Sequence, residues 1–207
     1  RSVVAPRAKE IDATGEFAWD IADVFAQHGF LSLIIPKEYG GMDADVTSFC
    51  MVAEEMAIYC ASSSLLVIVQ AVGTMPLVLG GSDELKKRFL PKLSKEKGLI
   101  CFCITEPEAG SDAASIRTKA VLKGDHYLLN GRKCFITNGG VSDLYTVFTV
   151  TSHEKKMEGI TGFVIEKGTP GLSIGKTEEK MGIRGSNTTE VILEDVKVPV
   201  SQRIGDE

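Results

Sequence analysis

The spacing of apolar residues changes near residue 98, and this change constrains the fold more than any other feature. Over residues 19–30, and again over residues 48–71, apolar residues recur at helical spacing, and the second stretch is expected to be mostly buried. After Gly98 the β-branched content rises and turn residues recur at short intervals, as in a strand-rich sandwich or barrel. The sequence therefore predicts an α+β chain with a helical domain over residues 1–97 and a β domain over residues 98–207.

Local signals refine the helical half. Ser82 is expected to cap a short helix that runs through Phe89 and stops at Pro91. The single tryptophan, Trp19, is expected to lie in the core.

Composition excludes several classes of protein. The 207 residues are 43% hydrophobic and carry a net charge of −5 without a basic block, which argues against nucleic acid or an anionic membrane as the main partner. The apolar stretch at 64–72 is interrupted by Gln70, so we interpret it as a core helix rather than a membrane span. The five cysteines are odd in number and lack zinc-type spacing, which favours a reducing compartment and predicts no metal site.

Two strings in the β half point to a ligand. The first string, residues 103–115, reads CITEPEAGSDAAS and follows a strand-like run. Its turn contains Pro107, Gly110 and Ser111, where backbone amides can come close to a bound anion. The same residues are also those of an ordinary turn at the end of a strand. A phosphate-bearing ligand is the functional interpretation.

The second string, residues 134–140, reads CFITNGG. It follows an expected tight turn at Asn130-Gly131 and places the Phe135 ring and the Thr137 hydroxyl at fixed offsets along a strand. A threonine at a strand end is otherwise an ordinary β-former. Two strand ends with hydroxyl donors beside apolar faces suit a flat heteroaromatic ring with a pyrophosphate tail.

Together the two strings resemble the acyl-CoA dehydrogenase family of FAD enzymes, whose members share T-E-P-x-x-G-S-D followed by an aromatic-I-T-N-G. Collinear agreement extends over nearly the whole chain, which makes the resemblance more specific than a lone glycine motif. The further matching segments are residues 34–41, 54–55, 80–93, 159–164 and 181–199.

The resemblance implies a flavin site. Thr105 is expected to face the pyrimidine side of the isoalloxazine, Thr137 to reach flavin N5, and Ser111 to lie between the pyrophosphate and the acyl-CoA arm. Phe135 stands where the family more often has tryptophan. The residues expected to contact FAD are Phe102, Ile104, Thr105, Gly110, Ser111, Phe135, Ile136 and Thr137.

The resemblance also implies an activity. Family members convert an acyl-CoA thioester to a trans-2-enoyl-CoA in fatty acid metabolism, pass electrons to an electron-transfer flavoprotein, and assemble as dimers or tetramers. Their catalytic glutamate lies in a C-terminal four-helix bundle, so we expect no catalytic base within residues 1–207. The chain alone is expected to be inactive until those helices are supplied, in cis or by a heteromeric partner. The expected location is the mitochondrial matrix in a eukaryote and the cytoplasm in a bacterium or archaeon.

Other polar residues carry weaker signals. Glu106 and Glu108 are interpreted as structural or solvated, and Arg184 as a partner in a structural ion pair. The three histidines, His28, His126 and His153, are scattered and have no partner acid or nucleophile in a motif. Residues 152–158 correspond to a variable family loop near the CoA moiety.

Two alternatives remain open at this point. One is a flavin enzyme of the same fold that uses oxygen, such as an acyl-CoA oxidase or a hydroxylase. The other is a non-catalytic subunit or fragment that needs a partner to supply the catalytic base.

Overall fold

Helices form the first half of the chain and strands the second. A computed structural model describes residues 1–152 and 156–205. The helices are α1 (Val4–Thr14), α2 (Trp19–Gln27), α3 (Val46–Tyr59), α4 (Ala61–Gly80) and α5 (Asp83–Ser94). The strands are β1 (Ile100–Cys103), β2 (Lys119–Lys123), β3 (His126–Thr137), β4 (Leu144–Val150), β5 (Ile160–Glu166), β6 (Leu172–Thr177), β7 (Thr188–Pro199) and β8 (Arg203–Ile204).

The described strands form one curved sheet. Its order is β6-β7-β3-β2-β4-β5-β8, and β1 pairs in parallel with β4. Tyr127 on β3 and Phe163 on β5 belong to strands separated in this order by β2 and β4, yet their ring centroids lie 4.9 Å apart. The sheet therefore wraps around its own apolar core, as the predicted barrel or sandwich requires.

Helix α4 joins the two halves. It is long and apolar enough to cross a membrane by length and composition, with a hydropathy of 1.8, but 56% of this stretch is buried inside the protein. Gln70 lies within it and donates to the Gly98 carbonyl at 2.9 Å while accepting from the Ile100 amide at 3.1 Å. The side chain that interrupts the apolar stretch thus positions the start of β1, and α4 packs as a core helix.

Three sequence expectations for the helices are wrong. Helix α5 begins at the Ser82 cap but continues through Pro91 to Ser94. Pro91 lies in the last turn, where it removes one backbone donor, and the buried Phe89, Leu90 and Leu93 hold that turn in the core. The stretch at 48–71 is two helices, of which α3 has no buried residue. Trp19 is 54% exposed, because it lies at the start of α2 on the side away from Ile21 and Phe25.

The expected turn at Asn130-Gly131 is also wrong, since both residues lie inside β3. The register with β7 shifts between Leu129 and Gly131, which marks a bulge. Asn130 fills this irregularity by pairing with Asp195, donating through Nδ2 and accepting from the Asp195 amide, both at 2.9 Å. The Asn-Gly pair, which predicts a turn between two strands, therefore forms a bulge inside one long strand.

Candidate functional site

The first string leaves β1 at Cys103 and crosses to β3. The amide of Cys134 donates to the Thr105 carbonyl at 2.9 Å, which joins the first string directly to the second. Immediately beyond, Glu106 and Ala109 exchange two backbone hydrogen bonds of 3.0 and 3.1 Å around Pro107 and Glu108. The strand-to-turn transition predicted from sequence is present, and it places Thr105 beside the end of β3.

A second bulge shapes the end of β3. The register with β7 shifts between Lys133 and Ile136, and Phe135 within this bulge has φ of 56°. The Phe135 side chain is 64% exposed, while Ile136 is buried in the β core. Thr137 is half-buried at the end of the strand. The bulge thus turns an aromatic ring outward between two inward side chains.

The predicted flavin residues include both buried and solvent-accessible side chains. Phe102 is half-buried against Phe148, with ring centroids 5.0 Å apart, and Ile104 packs in a small cluster around Ile116 and Val150. Because the Ile136 side chain is buried, Ile136 can offer a ligand only its backbone. Thr105, Ser111, Phe135 and Thr137 keep exposed or half-exposed side chains.

Hydroxyl groups near the two strings are available to a ligand. Among residues 1–152 and 156–205, the hydroxyls of Thr105, Ser111 and Thr137 make no hydrogen bond. By contrast, the Thr118 hydroxyl bonds to Glu106, and the Thr146 hydroxyl donates to the Gly73 carbonyl. Unused donors beside an outward aromatic ring fit the edge of an isoalloxazine, which carries several acceptor atoms.

The turn after Glu106 leaves room for close approach. A Cβ built on Gly110 meets no atom within 4 Å, and neighbouring Ser111 is exposed. The space beside the Gly110 backbone is therefore open for a ligand and is not filled by the chain itself. This openness fits the predicted cradle for a pyrophosphate or CoA arm.

Sequence reasoning missed the importance of Lys133. Its ammonium is fully buried and lies 2.7 Å from the buried Glu106 carboxylate, and it also donates to the Ile104 carbonyl at 3.1 Å. Lys133 falls at the alternate positions of β3 that also carry Tyr127 and Leu129, and a lysine on the inward face of a strand is the signal that could have indicated a buried partner. Glu106, interpreted as structural or solvated, is structural and buried, while Glu108 is exposed.

Both members of this pair have shifted pKa values. Burial tends to raise the pKa of Glu106, but hydrogen bonds from Lys133, Thr118 and the Arg117 amide hold it below its ordinary value. Burial lowers the pKa of the Lys133 ammonium, and the Glu106 carboxylate opposes this shift. Glu106 therefore remains an anion held by donors, which is the opposite of the raised pKa that a general base needs.

The remaining candidates lie elsewhere. Arg184 forms the expected structural ion pair, with its guanidinium 3.1 Å from Asp12 at the start of the chain. His126 bonds to the neighbouring Asp125, and His28 lies near Phe30. His153 lies outside the described residues, as does part of the variable loop at 152–158. An apolar groove of about 370 Å³ in the helical half is lined by none of the predicted flavin residues.

Comparison with known proteins decides the family. The model of the acyl-CoA dehydrogenase N-terminal domain matches residues 1–97, and that of the acyl-CoA dehydrogenase middle domain matches residues 101–196. The chain belongs to the acyl-CoA dehydrogenase family. The fold expected from the resemblance, a helical N-terminal domain followed by a middle β domain, is confirmed.

Individual relatives agree over the whole chain. The cyclohex-1-ene-1-carbonyl-CoA dehydrogenase of Syntrophus aciditrophicus is 46% identical over 99% of this chain and 50% of its own length. The butyryl-CoA dehydrogenase structure from Megasphaera elsdenii has a TM-score of 0.93 and 38% identity, over 99% of this chain and 55% of that chain. A chain in a structure of the electron transferring flavoprotein of Acidaminococcus fermentans has a TM-score of 0.94 and 38% identity, over 99% of this chain and 54% of that chain. This chain spans about half the length of the relatives it matches.

Proposed function

We propose that this chain forms the N-terminal and middle domains of an FAD-dependent acyl-CoA dehydrogenase. The enzyme would convert an acyl-CoA thioester to a trans-2-enoyl-CoA and pass electrons to an electron-transfer flavoprotein. The observation that carries the proposal is the 2.9 Å hydrogen bond from the Cys134 amide to the Thr105 carbonyl. It brings together two strings whose threonine hydroxyls are unused and whose intervening aromatic ring is exposed.

FAD would supply a ring that accepts a hydride at N5 and keeps the electrons until an acceptor arrives. The chain's own contribution is to bind and orient that ring. Thr137 would donate its hydroxyl at the N5 edge and Thr105 at the pyrimidine edge, where preorganised donors stabilise negative charge in a site that excludes water. Ser111, exposed beyond the turn, would contact the ligand arm that passes the open side of Gly110.

The α-proton of the thioester needs a base, and we propose that this base lies outside residues 1–207. The support is the state of the two glutamates in the first string. The Glu106 carboxylate is held by Lys133 and Thr118, and Glu108 is exposed to solvent. In the full-length protein, Glu108→Gln should therefore leave kcat unchanged. A large loss of kcat in this variant would identify Glu108 as the base instead.

The test of the function is anaerobic reduction of the purified full-length protein by a panel of acyl-CoA thioesters. At least one thioester should bleach the absorption band of the oxidised flavin, and free CoA, which has no α-proton, should not. Added electron-transfer flavoprotein should restore the band. If no thioester in the panel bleaches the flavin, the proposed reaction is wrong. Rapid return of the band in air would indicate an oxidase of the same fold.

A further inference from the structure

A buried ion pair joins the two strings. The Lys133 ammonium lies 2.7 Å from Glu106 Oε1, and the side chains are 0% and 4% exposed. Lys133 immediately precedes the second string, and Glu106 belongs to the first. The pair therefore spans the same gap as the hydrogen bond from the Cys134 amide to the Thr105 carbonyl.

Further bonds make this junction rigid. Glu106 accepts from the amides of Arg117 at 2.6 Å and Thr118 at 2.9 Å, and from the Thr118 hydroxyl. Lys133 donates in addition to the Ile104 carbonyl at 3.1 Å. Each of the three consecutive residues at 104–106 is thus bonded to residue 133 or 134, with Thr105 in the middle.

A contribution to stability does not by itself explain why a buried ion pair is present at this position. Burying two charges is costly, and apolar side chains of similar volume often stabilise a fold as well or better. What an ion pair with saturated hydrogen bonds adds is a fixed geometry, because its directional bonds tolerate little displacement. At this position, the fixed quantity is the distance from Thr105 to the second string.

We propose that Glu106 and Lys133 are positioning residues for the flavin. Their ion pair holds Thr105 in register with Phe135 and Thr137, so that hydroxyls from both strings meet a single ring. The proposal rests on the proposed function. Neither side chain would touch the ring. The pair would affect cofactor binding by fixing the position of Thr105.

The test compares three variants of the full-length holoprotein. Glu106→Asp keeps the charge but is too short to reach Lys133 and the Thr118 amide together. Thr118→Val removes one bond to Glu106 and keeps the side-chain shape. Val198→Ala is the control, because it removes buried volume from the same β core without touching residues 104–106. The measurements are the FAD dissociation constant, the flavin absorption spectrum, the flavin reduction potential and Tm.

Glu106→Asp should weaken FAD binding by about tenfold or more and shift both the spectrum and the potential, as expected when hydrogen bonds to the ring are lost. Thr118→Val should shift the spectrum and the potential in the same direction by a smaller amount. If Glu106→Asp does not fold, the Thr118→Val result alone tests the proposal. Val198→Ala should lower Tm and leave the flavin signals unchanged. The proposal is overturned if the Glu106 and Thr118 variants behave like the control. Wild-type protein without FAD would instead refute the proposed function, and with it this role.

Discussion

Phe135 is the residue at which local strain and proposed chemistry coincide. Its φ of 56° is unfavourable for a bulky residue, and its ring is 64% exposed. The neighbouring Cys134 and Ile136 are buried and hold the backbone in this conformation. Strained positions of this kind persist where neighbouring packing determines them, and they are concentrated at functional sites.

Replacing Phe135 by glycine separates strain from function. Glycine accepts the positive φ freely, which offsets its greater flexibility in the unfolded chain, so Tm should change little. FAD affinity should fall, because the ring that covers the flavin edge is gone. Ile183→Gly is the matched control, since Ile183 has φ of 53° and is also exposed. Unchanged FAD affinity in Phe135→Gly would contradict the placement of the ring.

The two threonine hydroxyls can be tested together. Thr105→Val and Thr137→Ala should each weaken FAD binding or slow its reduction, with a loss of about 1–3 kcal/mol for a donor buried against the ring. Neither variant should lose much stability, because these hydroxyls make no hydrogen bond among the described residues. Thr169→Val, which removes an internal bond to the Glu166 carbonyl, should leave the flavin unaffected. Titration with FAD, followed by stopped-flow reduction, measures both effects.

Gly110 provides a steric test. A Cβ at this position meets nothing within 4 Å, so Gly110→Val should leave Tm nearly unchanged while abolishing binding of FAD. Gly182→Val introduces the same side chain at a second glycine that has open space around it, and it should bind FAD normally. An intact FAD complex of Gly110→Val would show that the turn is not the ligand cradle.

At the scale of elements, Glu166 on β5 ties the strand half to α5. It accepts from Arg88 at 2.8 Å and from Lys92. The hydrogen bond from Lys92, helped by the charge of Arg88 and opposed by partial burial, lowers the pKa of Glu166 below 4.5. A carboxylate with a depressed folded-state pKa stabilises the fold above its unfolded pKa, and this contribution is lost as the pH falls through the folded pKa.

Glu166→Gln should therefore reduce the free energy of unfolding at neutral pH by up to about 1 kcal/mol, since the pair is partly exposed and screened by solvent. The difference from wild type should shrink as the pH falls below 4.5. Chemical denaturation at several pH values measures this convergence. A difference that stays constant down to acid pH would mean that the ionised pair does not stabilise the contact between α5 and β5.

Some features of the helices and strands can be predicted from the sequence, and others depend on tertiary packing. The order of helices and strands and the Ser82 cap follow from local patterns, and the structure bears them out. The two strings are also visible in the sequence, and the structure brings them together, while their contact with a flavin stays a prediction. The extension of α5 past Pro91, the bulges in β3 and the outward position of Trp19 depend on what packs against them. The pair of Glu106 and Lys133 joins residues far apart in the chain, and no local pattern specifies such a partner.

At the scale of the whole molecule, the helical and strand halves share apolar packing. One cluster unites Leu77 of α4 and Phe89 of α5 with Ile100, Leu144 and Val164 of the sheet. The Thr146 hydroxyl on β4 also donates to the Gly73 carbonyl of α4 at 2.7 Å. The helices therefore fix the position of β1 and β4, and through β1 they fix where the first string meets β3.

A crystal structure of the full-length protein with FAD would show whether the first and second strings meet one flavin ring. We expect one isoalloxazine within hydrogen-bond distance of both the Thr105 and the Thr137 hydroxyls, with the Phe135 ring at its edge. An isoalloxazine bound elsewhere, or one that reaches only one of the two strings, would contradict this expectation.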